Sequence, residues 1–287
     1  MTTTPFGTRL AEAIDEYGHL CVGLDPHPGM LTDWGLSDDA AGLREFGQRV
    51  LEACAGRVGV IKPQVAFYER YGPEGMAVLA ETTSSAKEAG LLVIGDAKRG
   101  DIGSTMAAYA EAWLNPANAF SVDALTVSPY LGFGSLGPAI KAAQDYGAGL
   151  FVLGLTSNPE GAEVQLAAAG ETGAASAEQG KETVAGSVIA QAAAVNGAPE
   201  RLGGIGLVIG ATTVQLAAEH GIDLSVGRPP ILAPGYGAQG ATAAQIRTGF
   251  AGAWDQVLVN SSRGILSAGP GVSDLVSSVA SSRADLD

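Results

Sequence analysis

The chain has 287 residues, 46% of them hydrophobic, and a formal charge of −14, enough for one large domain or two ordinary ones around a well-filled core. That charge argues against nucleic acid or an anionic membrane as partner, and any anionic ligand needs a locally basic pocket. Apolar runs are strand-sized, and Met1-Thr2-Thr3-Thr4-Pro5 has neither the basic region nor the apolar stretch of a signal peptide, so neither a membrane span nor an export signal is expected.

Residues 8–17 read as a short amphipathic helix, followed by a strand over 20–24 that ends in Asp25. Residues 37–55 predict a helix with a Ser37 cap, acids in its first turn and Gly56 as a stop. A second strand, 58–62, ends in Lys62 and Pro63; a helix over 73–89 is closed by Gly90. The third strand, 91–94, runs directly into Asp96, Lys98 and Asp101, and Gly100 and Gly103 then turn the chain into a helix near Ser104. A fourth strand, 123–127, closes at Ser128-Pro129, with a helix over 135–146 and a fifth strand over 150–155. Strands at 205–209, 231–233 and 257–259 are each followed by a helical pattern, the last one, after Ser273, fraying towards Asp287.

Eight apolar strands alternating with helical segments are the signature of a (β/α)8 barrel with a parallel sheet buried on both faces. A doubly wound open sheet is the runner-up architecture. The whole chain, 1–287, is expected to be one domain. One interval is long: 156–202 is rich in Ala, Gly, Glu and Gln and reads as an insertion after strand five. Helices are expected there over 162–169 and 178–196, around a flexible 170–177 join.

In such barrels the site lies at the C-terminal ends of the strands. Those ends supply Asp25, Lys62, Asp96, Lys98, Asp101 and Ser128, then Pro234-Gly235-Tyr236-Gly237-Ala238-Gln239-Gly240 and Asn260-Ser261-Ser262-Arg263-Gly264. Strand alternation sends Asp96 and Lys98 the same way, roughly 6 to 7 Å apart along the chain. Taken alone, the charged triplet also fits a structural ion pair with a spare surface aspartate. With Lys62 from the neighbouring strand, the lysines and aspartates form an alternating array that aims an ammonium at the pocket. In the last two loops, glycine backbone, the Gln239 amide and the Arg263 fork suit a phosphate, although Gly235-Tyr236-Gly237 alone also fits a tight turn needing positive φ. The glycines of 204–210 lie within a strand rather than after it, so a dinucleotide fingerprint is rejected. Cys21 and Cys54 lie inside apolar segments and suit reduced thiols of a cytoplasmic protein. His19, His27 and His220 lie far apart, with no metal-ligand spacing and no Ser-His-Asp arrangement.

Asp96-Ala97-Lys98-Arg99-Gly100-Asp101-Ile102 matches the Asp-x-Lys-x-x-Asp signature of orotidine 5′-phosphate decarboxylases. Lys62-Pro63-Gln64 with Ala66-Phe67, Ser128-Pro129-Tyr130-Leu131-Gly132 and the 234–240 loop resemble the longer branch of that family, and the resemblance runs from about Phe6 to Leu266. It implies removal of the C6 carboxylate of orotidine monophosphate to give uridine monophosphate, without metal or organic cofactor. It further implies that Asp25 and Lys62 contact the ribose hydroxyls, that Lys98 protonates C6, and that Asp96 sits beside the departing carboxylate. Asp101 and Thr105 would reach into the site of a partner subunit in a homodimer. Gln239 and Arg263, with Pro234, Gly235 and Ser262 in their loops, would hold the phosphate, and Ser128 would read the pyrimidine edge. Two alternatives stand beside it. One is a Mg²⁺-dependent sugar-phosphate decarboxylase or aldolase of the same superfamily, whose members carry an acidic metal ligand where Lys62 stands. The other is a non-catalytic barrel that binds pyrimidine nucleotides.

Overall fold

The computed structural model describes residues 4–170, 183–237 and 240–286. Eight parallel strands follow one another around a closed barrel: β1 (Leu20–Leu24), β2 (Val60–Pro63), β3 (Leu92–Arg99), β4 (Ala124–Val127), β5 (Gly149–Leu155), β6 (Ile205–Ile209), β7 (Ile231–Pro234) and β8 (Val257–Ser261). The last strand pairs back onto the first, Leu20 with Val259 and Cys21 with Asn260.

The period of two along each strand sorts the side chains into two sets. Val22, Ile61, Val93, Leu125, Val152, Leu207, Ala233 and Val259 face outward and pack with the surrounding helices. Their neighbours Cys21, Val60, Ile94, Ala124, Phe151, Val208, Leu232 and Leu258 form a separate cluster inside the barrel. Two residues further along the same inward rows come Lys62, Asp96, Thr126, Leu153, Pro234 and Asn260. The barrel is thus dry at its floor and polar at its C-terminal mouth, which is where a site belongs in this architecture.

The floor is sealed from below by the helix Phe6–Tyr17, whose Phe6, Leu10, Ala11 and Ile14 join the interior cluster. Phe6 meets Phe151 edge to face at 6.0 Å. A Cβ on Gly149 would lie 2.2 Å from the Phe6 ring, so glycine is needed there for the plug to seat. Gly206 plays a similar part in β6, where a Cβ would lie 2.6 Å from the Pro230 carbonyl and 2.8 Å from Phe151. The glycines around β6 therefore serve packing, in keeping with the rejected dinucleotide reading.

Several boundaries differ from expectation for local reasons. The helix Ala40–Cys54 is capped by Asp39, whose carboxylate accepts from the Ala41 and Gly42 amides, while the expected cap, Ser37, donates its hydroxyl to that carboxylate. The third strand continues through the charged residues to Arg99. Past residue 155 the structure has a short 3-10 turn, Pro159–Gly161, one helical turn, Ala162–Gln165, and the helix Val184–Asn196. That last helix packs on β5 and β6, as the crossover helix of its own unit does, so the extra chain precedes it in sequence. Residues 171–182, which include most of the expected flexible join and the expected start of that helix, lie outside the described residues. The terminal helix Val272–Leu286 buries Leu275, Val279 and Leu286, so the expected fraying does not occur up to Leu286.

The plug offers a direct stability test. Phe6→Ala should lower stability by about 3 to 5 kcal/mol, the usual cost of emptying an aromatic core site. Urea unfolding checks this, and an unchanged midpoint would mean that the barrel floor closes without the helix.

Candidate active site

Strands β2 and β3 bring the charges together. Lys62 donates to Asp96 Oδ2 at 2.7 Å and Lys98 donates to Asp96 Oδ1 at 2.6 Å. The Gln64 amide donates to Oδ2 at 3.0 Å and the Thr126 hydroxyl to Oδ1 at 3.0 Å. All four acceptor positions of the carboxylate are therefore occupied. Lys62 and Asp96 are buried, at 4% and 7% exposure. Burial alone would raise the Asp96 pKa, but the Lys62 and Lys98 ammonium groups outweigh it and hold the carboxyl well below its usual range. Burial alone would lower Lys62, but Asp96 and then Asp25 outweigh it and raise the ammonium above its usual value.

A cavity of about 580 Å³ opens above this array. Asp25, Lys62, Asp96, Lys98, Pro234, Gly235, Ser262 and Arg263 line it, as expected. Asp25 Oδ1, Asn260 Oδ1 and Ser262 Oγ are buried without a hydrogen-bond partner among the described residues, and all three residues line the cavity. Buried polar groups are costly unless paired, so this wall suits a ligand rich in hydroxyl or amide groups. A Cβ on Gly23 would lie 1.9 Å from Ser262 Oγ, so glycine in β1 lets the loop after β8 close against the barrel. Gly235, Gly237 and Gly240 have φ of 123°, 68° and 94°; the turn reading holds, and the same turn brings Gly235 to the cavity. Arg263 is exposed at the rim and makes no ion pair among the described residues. Gln239 lies outside the described residues.

Three expected residues do not line the cavity. Asp101 is half-buried and accepts from the Ile102 amide at 2.8 Å, outside the ion-pair array, and Thr105 is exposed. The expected four-membered array is thus three-membered within one chain. Beside these residues Ile102, Tyr130 and Leu131 are 61%, 79% and 54% exposed. Ser128 sits past the end of β4 against Gly100, with its amide on the Arg99 carbonyl at 2.8 Å. Besides Ser262, the cavity is lined by Ser157, in the loop after β5, with Thr156, Asn158 and Gln165. Gln64 and His27 also line it without having been assigned a part, and Asn260, expected only as a member of the strand-eight end, lines it too. Thr126 and Asn260 were findable from the inward parity of β4 and β8, whereas the loop after β5 carries no periodic signal.

No group of three or more His, Cys, Asp or Glu side chains suited to a metal ion occurs among the described residues. The donor set at the array is two ammonium groups around one saturated carboxylate, which repels a cation.

The array makes stability depend on pH with a defined sign. The native Asp96 pKa is lowered, so its contribution is present above the unfolded value of about 3.9 and is lost as pH falls from there through the native value. The native Lys62 pKa is raised, so its contribution is complete below about 10.4 and is lost as pH rises through the native value. Asp96→Asn should cost about 3 to 5 kcal/mol near neutral pH, because it strips a buried cation of its counter-charge. In urea titrations the gap from the parent should narrow below about pH 4; a gap independent of pH would show that the carboxylate is not the stabilising partner.

Comparison with known proteins places this geometry. A family profile described as "Orotidine 5′-phosphate decarboxylase / HUMPS family" matches residues 18–275. An orotidine 5′-phosphate decarboxylase of Streptomyces coelicolor is 53% identical over 271 residues, covering 94% of this chain and 93% of the relative. One from Salinispora arenicola is 51% identical over 270 residues, with 94% and 92% covered. Among solved structures, a candidate orotidine 5′-phosphate decarboxylase of Streptomyces avermitilis is 50% identical, covers 100% of this chain and 96% of its own, and superposes with a TM-score of 0.92. A Methanocaldococcus jannaschii orotidine 5′-monophosphate decarboxylase, complexed with the inhibitor BMP, shares the fold at 16% identity and a TM-score of 0.61, with 91% and 97% covered. The chain belongs to the orotidine 5′-phosphate decarboxylase / HUMPS family.

Proposed function

We propose that the chain converts orotidine 5′-phosphate to uridine 5′-phosphate and CO2, as a carbon–carbon lyase of pyrimidine nucleotide synthesis in the cytoplasm. The observation that carries the reading is the Lys62–Asp96–Lys98 array at the base of a cavity rimmed by Gly235 and Arg263. The relatives' names give the substrate; the array gives the chemistry.

The C6–carboxylate bond breaks with its electron pair left on C6, CO2 departs, and a proton from the Lys98 ammonium forms the new C6–H bond. Lys98 stabilises the developing carbanion more than the neutral ring, so its contribution falls on the transition state. Asp96 has no free acceptor position and no proton to give, so it meets the substrate carboxylate through charge alone. Two such charges about 4 Å apart at an effective dielectric of about 20 repel by about 4 kcal/mol, on the order of a thousandfold in rate. Binding contacts elsewhere must hold the carboxylate there. Arg263 and the Gly235 turn supply them at the phosphate. Asp25, with its unpartnered Oδ1, and Lys62 supply them at the ribose. In an eight-stranded ring β5 lies across from β1 and two and three strands away from β7 and β8; with the phosphate on the loops after β7 and β8, Thr156, Ser157, Asn158 and Gln165, which line the cavity, are assigned to the pyrimidine. This gives Ser157 the role first expected of Ser128. Asp101 and Thr105 then serve the site of a second copy, and Ile102, Tyr130 and Leu131 belong to the face between copies.

No step needs a metal. Chelator-treated protein should consume orotidine 5′-phosphate, followed by loss of its ultraviolet absorbance, and Lys98→Ala should slow turnover by at least about a hundredfold to ten-thousandfold, the span of a lost general acid. Activity abolished by EDTA and restored by Mg²⁺ would favour a metal-dependent sugar-phosphate enzyme instead.

The shared site has its own test. Lys98→Ala and Asp101→Ala dimers should each be nearly inactive. After dissociation and random reassociation about half the dimers are mixed, and each carries one intact site, so about a quarter of the parent activity should return. Confirmed chain exchange without recovered activity would place Asp101 in the service of its own chain.

A further inference from the structure

Lys98 has φ of 47°, one of two non-glycine residues with positive φ among the described residues. It sits where the β3–β4 register slips between Gly95 and Arg99. A side-chain-bearing residue in that conformation costs on the order of 1 kcal/mol, so its surroundings must hold it there. Thr126, the inward residue of β4 and only 1% exposed, is placed to do so. Its hydroxyl oxygen accepts from the Lys98 backbone amide at 2.9 Å. Its single hydrogen has two acceptors in reach, Asp96 Oδ1 at 3.0 Å and the Gly95 carbonyl at 3.5 Å. The nearer, ionised oxygen wins. That same Oδ1 holds the Lys98 ammonium at 2.6 Å. A ring therefore closes from the Lys98 amide through the Thr126 hydroxyl and the Asp96 carboxylate back to Lys98 Nζ.

We propose that Thr126 is a positioning residue: its hydroxyl sets the backbone turn at Lys98 and the rotation of the Asp96 carboxylate, and so aims the ammonium at the reacting carbon. The role in turnover rests on the decarboxylase reading above. Thr126 is not among the residues lining the cavity. Its effect passes through Lys98 and Asp96, and it belongs to the chemical step rather than to substrate affinity.

The test compares two substitutions that separate hydroxyl from shape. Thr126→Val keeps the branched outline and removes the hydroxyl, whereas Thr126→Ser keeps the hydroxyl and removes a methyl. For orotidine 5′-phosphate, Thr126→Val should lower kcat about tenfold to a hundredfold, as expected for a lost charge-assisted bond, with KM within about twofold of the parent. Thr126→Ser should keep kcat near the parent's. Deuterium exchange of the peptide spanning residues 96–99 should be faster in Thr126→Val and unchanged in Thr126→Ser. If Thr126→Val does not fold, Thr126→Ala, which crowds nothing, replaces it in both measurements. A valine variant with parental kcat and exchange overturns the proposal, as does a serine variant impaired as much as the valine one, or a rise in KM alone. If the parent protein leaves orotidine 5′-phosphate unchanged, the decarboxylase reading falls, and the exchange comparison decides by itself whether Thr126 holds Lys98.

Discussion

One carboxylate, Asp96, stands between two ammonium groups, with Lys62 at 2.7 Å and Lys98 at 2.6 Å, and the mouth of the barrel is built around that balance. Taking the Lys62 and Asp96 charges out of water is expensive, and the mutual attraction repays it only when the remaining hydrogen-bond positions are also filled. Gln64 and Thr126 fill them. The four donors come from β2, the segment just after it, β3 and β4, so the geometry depends on the register of three neighbouring strands. A one-residue slip in any of them would turn its donor out of the barrel.

The arrangement also depends on what lies below. The interior row from Cys21 to Leu258 is wholly apolar and is closed by Phe6 and its helix. Water therefore reaches the array only from the cavity side, which keeps the ion pairs short and strengthens every charge interaction among them. Cys21 shows how dry the floor is: burial pushes its thiol up to about 12, even with Lys62 nearby pulling the other way.

Residues on a strict inward parity were legible in the sequence, as were Gly235, Ser262 and Arg263 in the last two loops, whereas most other residues beyond a strand end were not. Asp25, Lys62 and Asp96 follow from alternation counted from the apolar strand cores. Lys98 lines the cavity beside Asp96, but alternation is only part of the reason. The chain kinks there at positive φ, and the kink lets its long side chain fold back onto the carboxylate two residues earlier. Gln64 follows Pro63 at the end of β2, where periodicity has stopped, and its role emerges only from the 3.0 Å contact with Asp96. Ser128 and Ser157 were harder still. Both are serines just beyond a strand, and only the path of the following loop decides that one is held against Gly100 while the other lines the cavity. Ser37 and Asp39 show the same limit at a helix start, since either suits a cap and the stronger acceptor takes the amides.

The two lysines differ in a way that assigns their parts in the proposed reaction. The Lys62 side chain is 5% exposed and that of Lys98 is 47% exposed, though both hold the same carboxylate. A proton donor must give up its proton in each turnover and recover it from water, and a group walled off from solvent does neither readily. Moving a proton off Lys62 would also leave Asp96 and Asp25, the two carboxylates that raise its pKa, without the buried cation that offsets them. Lys98 faces the cavity, reaches solvent, and can lose its charge while Lys62 continues to neutralise Asp96. The buried lysine is thus the fixed counter-ion that lets the exposed one be the acid.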